Sequence, residues 1–374
     1  MSTRVLLFAA VTLCSAVLSV FSVLRAEERS VDAAAFAMFQ PLIKEKPQEN
    51  NVYSPLGVRL AMQLAYLGSD KKTAAEINTL FGFAADENFV PPKTLTVANA
   101  VWVKPDYKIR GSYLEAVKTL HAESMPFESV DPINAWVKEK TKGKISKLFE
   151  NLGGNVKAVL TNALYFKDGW EQGFKETQTV DEDFHSISST EDKVKMMHQI
   201  GNFRYCPQKN FACIQLEYKE PGTSMLVILP DEKEKFQDFC SKFGAAEFQK
   251  VLPSLRTKRV DLALPRFKAE ADYQLIPSLK AAGIQEAFSD NADFSKMTEA
   301  NDLKIGEVRQ KVVLEVNEEG SEAAAATGVV MTRKSLPAAA DQPVRFHADR
   351  PFLYILYDQN SKRIMFMGSY VKGH

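Results

Sequence analysis

Histidine is the side chain best suited to proton transfer and metal binding near neutral pH, and this chain has five: His121, His185, His198, His347 and His374. They are scattered without the spacing of a metal-ligand set, and each reads as a surface or structural residue. No G-x-S-x-G, G-x-G-x-x-G, phosphate-loop, C-x-x-C or H-E-x-x-H pattern occurs. No catalytic, cofactor-binding or metal-binding residue is therefore assigned. Thiol chemistry is equally limited. Cys14 lies in an apolar N-terminal run, which leaves Cys206, Cys213 and Cys240, an odd number that argues against a disulfide-built scaffold. A hairpin turning near Gln208 and Lys209 could oppose Cys206 and Cys213, as a disulfide or as two small half-buried residues.

The positioning elements divide along the chain. Ala35, Phe36, Phe39 and Leu42 share one side of a helix over Val31 to Leu42, and Pro55 to Leu67 repeats the pattern. Thr73 with Glu76 three residues on marks the start of a further helix. Ile133 to Phe149 and Leu275 to Ala282 have helical spacing. Leu95 to Val103, Asn162 to Phe166 and Met225 to Pro230 read as buried strands, as do Lys311 to Val316, Phe352 to Tyr357 and Ile364 to Tyr370. With no repeat and no linker composition, one α+β domain is expected. Lys and Arg total 47, as do Asp and Glu, so no global positive field favours nucleic acid or membrane. Arg4, the uncharged run Val5 to Leu24 and Leu24-Arg25-Ala26 read as a signal peptide over residues 1–26. Residues 27–374 are then the mature domain, secreted and free of the membrane; the length of the apolar run leaves an uncleaved membrane anchor as the alternative.

One segment fits no element. Gly320 to Pro343 carries alanine runs, Gly and Pro breakers and few large apolar groups between two good strands, and so long a loop in a compact domain is usually functional or disordered. Its start, Glu318 to Thr327, is helix-compatible and its continuation, Thr327 to Thr332, strand-prone.

Glu318-Glu319-Gly320-Ser321-Glu322-Ala323-Ala324-Ala325-Ala326-Thr327 resembles the hinge of the serpin family. The likeness extends over nearly all of the mature chain. It runs from Asn50 and Ser54-Pro55 through Asn134, Trp136, Thr141 and Gly143 to Asn162, Phe166 and Trp170. Leu229-Pro230, Ala292-Asp293-Phe294-Ser295, Asp349-Arg350-Pro351-Phe352 and Phe366-Met367-Gly368 continue it. The resemblance implies an α+β serpin fold of three β-sheets and about eight or nine helices. It implies an exposed reactive-centre loop at about 318–343 and, on cleavage, insertion of that loop into the central sheet. The expected function is that of an arthropod-like suicide inhibitor that traps a trypsin-like serine protease as a covalent acyl complex. By the family's spacing from Gly320 the bait bond is Lys334-Ser335, with Arg333 the alternative scissile residue. The inserting face would be Ser321, Ala323, Ala325, Thr327, Val329 and Met331, small first and larger later.

Departures from the family narrow this expectation. The stretch Phe83 to Leu95 is too short for the helix that often binds heparin-like polysaccharides, so glycosaminoglycan activation by that route is not expected. In the central-sheet cluster Ser54 and Asn162 fit, but Gly57 replaces a second Ser and Gln310 stands where His is usual. A monomer is expected, acting in an extracellular cascade such as coagulation or innate immunity. The rival reading is a non-inhibitory serpin: a carrier, chaperone or storage protein.

Overall fold

The computed structural model describes residues 32–84, 91–188, 191–232, 235–321 and 342–373. Residues 1–26, read above as a signal peptide, and most of the segment read as a reactive-centre loop lie outside them. A first helix, α1 (32–45), buries Ala35, Phe36, Phe39 and Leu42, the face read from the sequence. It leads into β1 (Asn51–Tyr53), α2 (Pro55–Gly68) and α3 (Lys71–Phe81). Ser54 starts α2: its hydroxyl accepts the Gly57 N–H at 3.0 Å, and Pro55 lacks the donor that the first turn would waste. Helix α2 is buried nearly all round, even at Arg59 and Gln63, because it lies between two sheets. Thr73 does not cap α3. Asp70 stands at the N-cap, and the Thr73 hydroxyl instead accepts the Asp293 N–H at 2.9 Å.

Next come β2 (Leu95–Val103), α4 (Gly111–Thr119), β3 (Glu123–Pro126), α5 (Asp131–Lys140), β4 (Ala158–Phe166) and β5 (Asp168–Gly169). Helix α5 stops well short of the expected Phe149 because Lys142 and Gly143 take left-handed φ of 52° and 80°. The Gly143 N–H folds back to the Lys138 carbonyl at 2.7 Å and ends the helix. The chain continues through β6 (Thr179–His185), β7 (Glu191–Pro207), β8 (Phe211–Glu217), β9 (Thr223–Pro230), α6 (Phe236–Lys242) and α7 (Ala245–Val251). It then forms β10 (Arg256–Pro265), β11 (Phe267–Gln274), α8 (Ile276–Ala281), β12 (Ile305–Val316), β13 (Gly320–Ser321), β14 (Val344–His347), β15 (Phe352–Asp358) and β16 (Arg363–Tyr370). Among the described residues there are eight α-helices and three sheets.

A nine-stranded sheet has the order β1-β16-β15-β9-β8-β7-β10-β14, with β6 also on β7. A five-stranded sheet runs β11-β12-β4-β2-β3, and β13 pairs with β5. Helix α5 covers one face of the five-stranded sheet, where Ile133 and Val137 pack on Ala98, Trp102, Val159 and Val313. Helix α2 fills the other face and separates it from the larger sheet.

Cys206 and Cys213 are direct register partners on β7 and β8, as the hairpin reading allowed, and both thiols are free. The ladder explains the missing bridge. Gln208 N–H donates to the Phe211 carbonyl at 2.8 Å, so alternation leaves Pro207, which has no N–H, at a non-hydrogen-bonded position. The cysteines fall at a hydrogen-bonded pair, where Cβ atoms stand near the wide end of the ~4.5–5.5 Å cross-strand range. A disulfide needs about 3.5–4.5 Å.

Candidate functional site

The site begins with a seam in the five-stranded sheet. Strands β4 and β12 run parallel, from Ile305 opposite Ala158 to Val313 opposite Tyr165, while β4 meets β2 and β12 meets β11 antiparallel. All nine residues of β4 are buried. At mid-seam Gln310 stands opposite Asn162. Its amide oxygen accepts the Ser54 N–H at 3.0 Å, and its Nε2 donates to the Ser54 carbonyl at 3.0 Å and to Asn162 Oδ1 at 2.9 Å. The Ser54 hydroxyl donates to the Met365 carbonyl of β16 at 2.6 Å. The predicted cluster of Ser54, Asn162 and Gln310 is thus brought together, and it ties α2, β4, β12 and β16 at one point. The one Gln310 amide thus answers both backbone groups of Ser54.

Gly57 is the counterpart of that long amide. A Cβ at residue 57 would fall 2.8 Å from Gln310 Nε2, and closer still to Asn162 Oδ1 and a Leu164 methyl. Residue 57 must lack a side chain for Asn162, Leu164 and Gln310 to pack as they do. The seam is not fully satisfied: Asn162 Nδ2 and Asn99 Oδ1, on register partners of β4 and β2, are buried without a hydrogen-bond partner among the described residues. Each such group costs about 1–3 kcal/mol.

At the end of β12 the chain turns. Asn317 and Gly320 exchange backbone hydrogen bonds at 2.8 and 3.3 Å, with Glu318 and Glu319 between them, and Asn317 Oδ1 accepts the Glu319 and Gly320 N–H groups at 3.1 Å each. Gly320 has φ +149°, and a Cβ there would run into the Asp168 carbonyl oxygen, so no side chain fits. The segment after β4 holds this turn: Trp170 N–H donates to the Glu319 carbonyl at 2.7 Å, Phe174 N–H to the Glu318 carbonyl at 2.8 Å, and Trp170 Nε1 to the Asn317 carbonyl at 2.9 Å. Ser321 is wholly buried, its hydroxyl 2.8 Å from the Tyr218 hydroxyl, and Tyr218 stacks on Trp170 with centroids 4.3 Å apart.

Glu318 is 3% exposed and ion-paired with Arg266, and it accepts the Thr179 hydroxyl at 2.6 Å. Burial would raise its pKa, but the Arg266 and Thr179 hydrogen bonds outweigh burial and hold it below the usual carboxylate value. Burial lifts Asp168 above its ordinary range despite N–H donors from Glu220 and Gly169.

Of the predicted hinge, Glu319, Gly320 and Ser321 lie in this turn. Glu322, Ala323 to Ala326, Thr327, Arg333, Lys334 and Ser335 fall outside the described residues. The residues that grip the hinge, Trp170, Phe174, Thr179, Asp168, Tyr218 and Arg266, were not picked out for that role in the sequence, although Trp170 and Phe174 carried the family resemblance. The histidines are less scattered than their spacing suggested. His198 and His347 meet with ring centroids 5.8 Å apart, beside Glu182 and Asp261 respectively. Burial pushes the Cys213 and Cys240 thiols well up, which makes them poor nucleophiles. The arrangement anchors one end of a loop at the mouth of a parallel seam.

A family model described as "Serpin (serine protease inhibitor)" matches residues 29–373. The leukocyte elastase inhibitor of Bos taurus is 32% identical over 378 residues, covering 91% of this chain and 98% of that one. Among solved structures, Serpin48 of the insect Tenebrio molitor superposes with a TM-score of 0.83 at 27% identity, covering 94% of this chain and 99% of that one. Human thyroxine-binding globulin, solved with thyroxine, gives 0.82 at 27%, covering 93% and 98%.

Proposed function

As the chain belongs to the serpin family, we propose that it is a secreted inhibitor that traps trypsin-like serine proteases covalently at Lys334-Ser335. The observation that carries this reading is the register of the hinge. Asn317 and Gly320 form a hydrogen-bonded pair at the end of β12. Continued in that register, Ala323 would stand opposite Leu314, Ala325 opposite Val312 and Thr327 opposite Gln310. Leu314, Val312 and Gln310 are wholly buried, so only small residues could enter beside them without overpacking.

The seam favours the same strand. Because β4 and β12 are parallel, a strand antiparallel to one is antiparallel to both. Insertion would replace one parallel ladder, the slightly weaker kind, by two antiparallel ones. In the trapping step the protease serine attacks the Lys334 carbonyl, the bond to Ser335 breaks, and the Ser335 amine leaves with a proton. Lys334 remains as an acyl ester on the protease, and insertion outruns its hydrolysis. A basic scissile residue suits a specificity pocket with a buried carboxylate. The protein itself turns nothing over, acts as a monomer, and serves an extracellular cascade.

The test is a mixture of the mature protein with trypsin, run on a denaturing gel, with the released C-terminal peptide weighed. A stable adduct and a peptide beginning at Ser335 are expected, and Lys334→Ala should lose both. A peptide beginning at Lys334 would move the bait to Arg333. Clean cleavage with no adduct would overturn inhibition in favour of a carrier or storage role.

A further inference from the structure

The chain contains one Asp-Gly pair, Asp168-Gly169, and no Asn-Gly. That pair is strand β5, the partner of the hinge: Gly169 stands opposite Gly320 and Asp168 opposite Ser321. The Asp168 carboxyl is held between two backbone donors. Its Oδ1 accepts the N–H of Gly169, the next residue, at 2.8 Å, and its Oδ2 accepts the Glu220 N–H at 2.9 Å. Because the Trp170 N–H donates to the Glu319 carbonyl, alternation leaves Gly169 at a non-hydrogen-bonded position, with its N–H turned away from β13. The Gly169 nitrogen therefore lies against the Asp168 carboxyl, and no side chain on residue 169 hinders their approach. Among the described residues, the charged groups that act on this carboxyl are Glu220 and Lys219, and β13 contributes only Gly320 and Ser321. Burial outweighs the two N–H donors, so the carboxyl keeps its proton to higher pH than an ordinary aspartate does.

A carboxyl held on the following amide nitrogen is poised for succinimide closure. We propose that Asp168-Gly169 is a site of spontaneous isomerisation, at which the folded protein converts Asp168 to isoaspartate and loosens its own hinge. The Gly169 nitrogen attacks Cγ of the protonated carboxyl, an N–Cγ bond forms, and the Cγ hydroxyl leaves as water with the amide proton. Water then opens the ring at the Asp168 carbonyl carbon and breaks its bond to nitrogen. The chain now runs through Cβ and Cγ, the former backbone carbonyl is a free carboxylate, and the mass is unchanged. The only co-reactant is water. The consequences fall on the hinge. The Asp168 carbonyl packs so closely on Gly320 that a Cβ there would collide with it, and after isomerisation a carboxylate stands in its place. One extra backbone atom also separates β4 from Trp170 and Phe174, whose N–H groups grip the Glu319 and Glu318 carbonyls. The loss of trapping rests on the inhibitory reading above; the isomerisation does not.

The experiment stores the mature protein warm for weeks, at about pH 5 and at about pH 8, and follows residue 168 in two ways. One is methyl transfer by an isoaspartyl methyltransferase; the other is loss of cleavage before residue 168 by an aspartate-specific endoprotease, at unchanged mass. Isoaspartate should accumulate at residue 168 several-fold faster at the lower pH, where more of the carboxyl is protonated. Asp168→Glu, whose extra methylene disfavours the five-membered ring, should stay unlabelled in this segment. Gly169→Ala should slow labelling several-fold, since its methyl crowds the nitrogen; that methyl would lie 3.1 Å from Lys219 Nζ and 3.2 Å from the Glu319 carbonyl oxygen, tight but not closed. The yield of trypsin adduct from stored wild type should fall in step with the isomerised fraction, and cleaved, untrapped protein should rise. No isoaspartate at residue 168 in the folded wild type would overturn the proposal, as would equal labelling of Asp168→Glu in this segment. Isomerised protein that traps trypsin as fully as fresh protein would overturn the effect on the hinge. No adduct even from fresh protein would remove the inhibitory reading, while the label alone decides the isomerisation.

Discussion

Replacing Gly57 by alanine tests whether Gln310 packs as it does because residue 57 lacks a side chain. The added methyl would sit 2.8 Å from Gln310 Nε2 and nearer to Asn162 Oδ1 and Leu164, all closer than the 3.0 Å that real Cβ atoms respect. Overpacking of this kind costs about 1–3 kcal/mol. A Gln310 side chain displaced by the methyl would also leave its bonds to Ser54 N–H, Ser54 carbonyl and Asn162, at about 1 kcal/mol each. A total of about 4–6 kcal/mol follows, which at about 2 °C per kcal/mol for a chain this long lowers the melting temperature by about 8–12 °C. Gln310→Ala alone loses the same bonds but leaves Asn162 Oδ1 and the Leu164 methyl in place, so the double variant should melt near Gly57→Ala and not at the sum of the two losses. The coupling should be at least about 2 kcal/mol, or roughly 4 °C, at one fixed scan rate because unfolding of such a chain is treated as kinetic. Additive losses, within about 0.5 kcal/mol, would refute the steric link, and an unchanged Gly57→Ala would refute the packing itself.

Two further outcomes test the hinge. The Glu318 carboxylate is held below its ordinary pKa, so its contribution is present above about pH 4.3 and is lost as pH falls through its lowered folded value. Glu318→Gln should cost about 1–2 kcal/mol at pH 7, discounted because the Arg266 side chain is 45% exposed. Melting curves should show that difference closing as pH falls below about 4.3, and a gap constant with pH would count against the ion pair. Ser321→Arg would bury a charge against Tyr218, so trypsin should cleave the variant without retaining an adduct, and an undiminished adduct yield would contradict the seam reading.

Periodicity located α1, α2, β2 and the C-terminal strands because each has a face that one layer must bury. It overran α5, since the stop depends on Lys142 and Gly143 taking left-handed φ, and no apolar spacing encodes that. It misassigned Thr73, whose hydroxyl answers a backbone donor at Asp293, 220 residues away. Ser54, Asn162 and Gln310 were legible through resemblance, but their joint dependence on Gly57 was not, because it is a matter of volume. The grip on the hinge was invisible for a related reason. Trp170, Tyr218 and Arg266 come from three separate segments, and only the folded chain brings them to Asn317 through Ser321.

The pairing of β1 with β16, Asn51 opposite Ser369, sets a waiting time in the making of this protein. Asn50 also holds the backbone of Val371 and Lys372, and Ser54 needs the Met365 carbonyl. At about 5–20 residues per second, the ribosome reaches those partners roughly 15–60 s after Asn51 is made. For that interval α2, apolar nearly all round, has one of its two covering sheets incomplete. The nascent chain must then be kept from other chains by something besides its own fold, and a message truncated before residue 363 would prolong that exposure indefinitely.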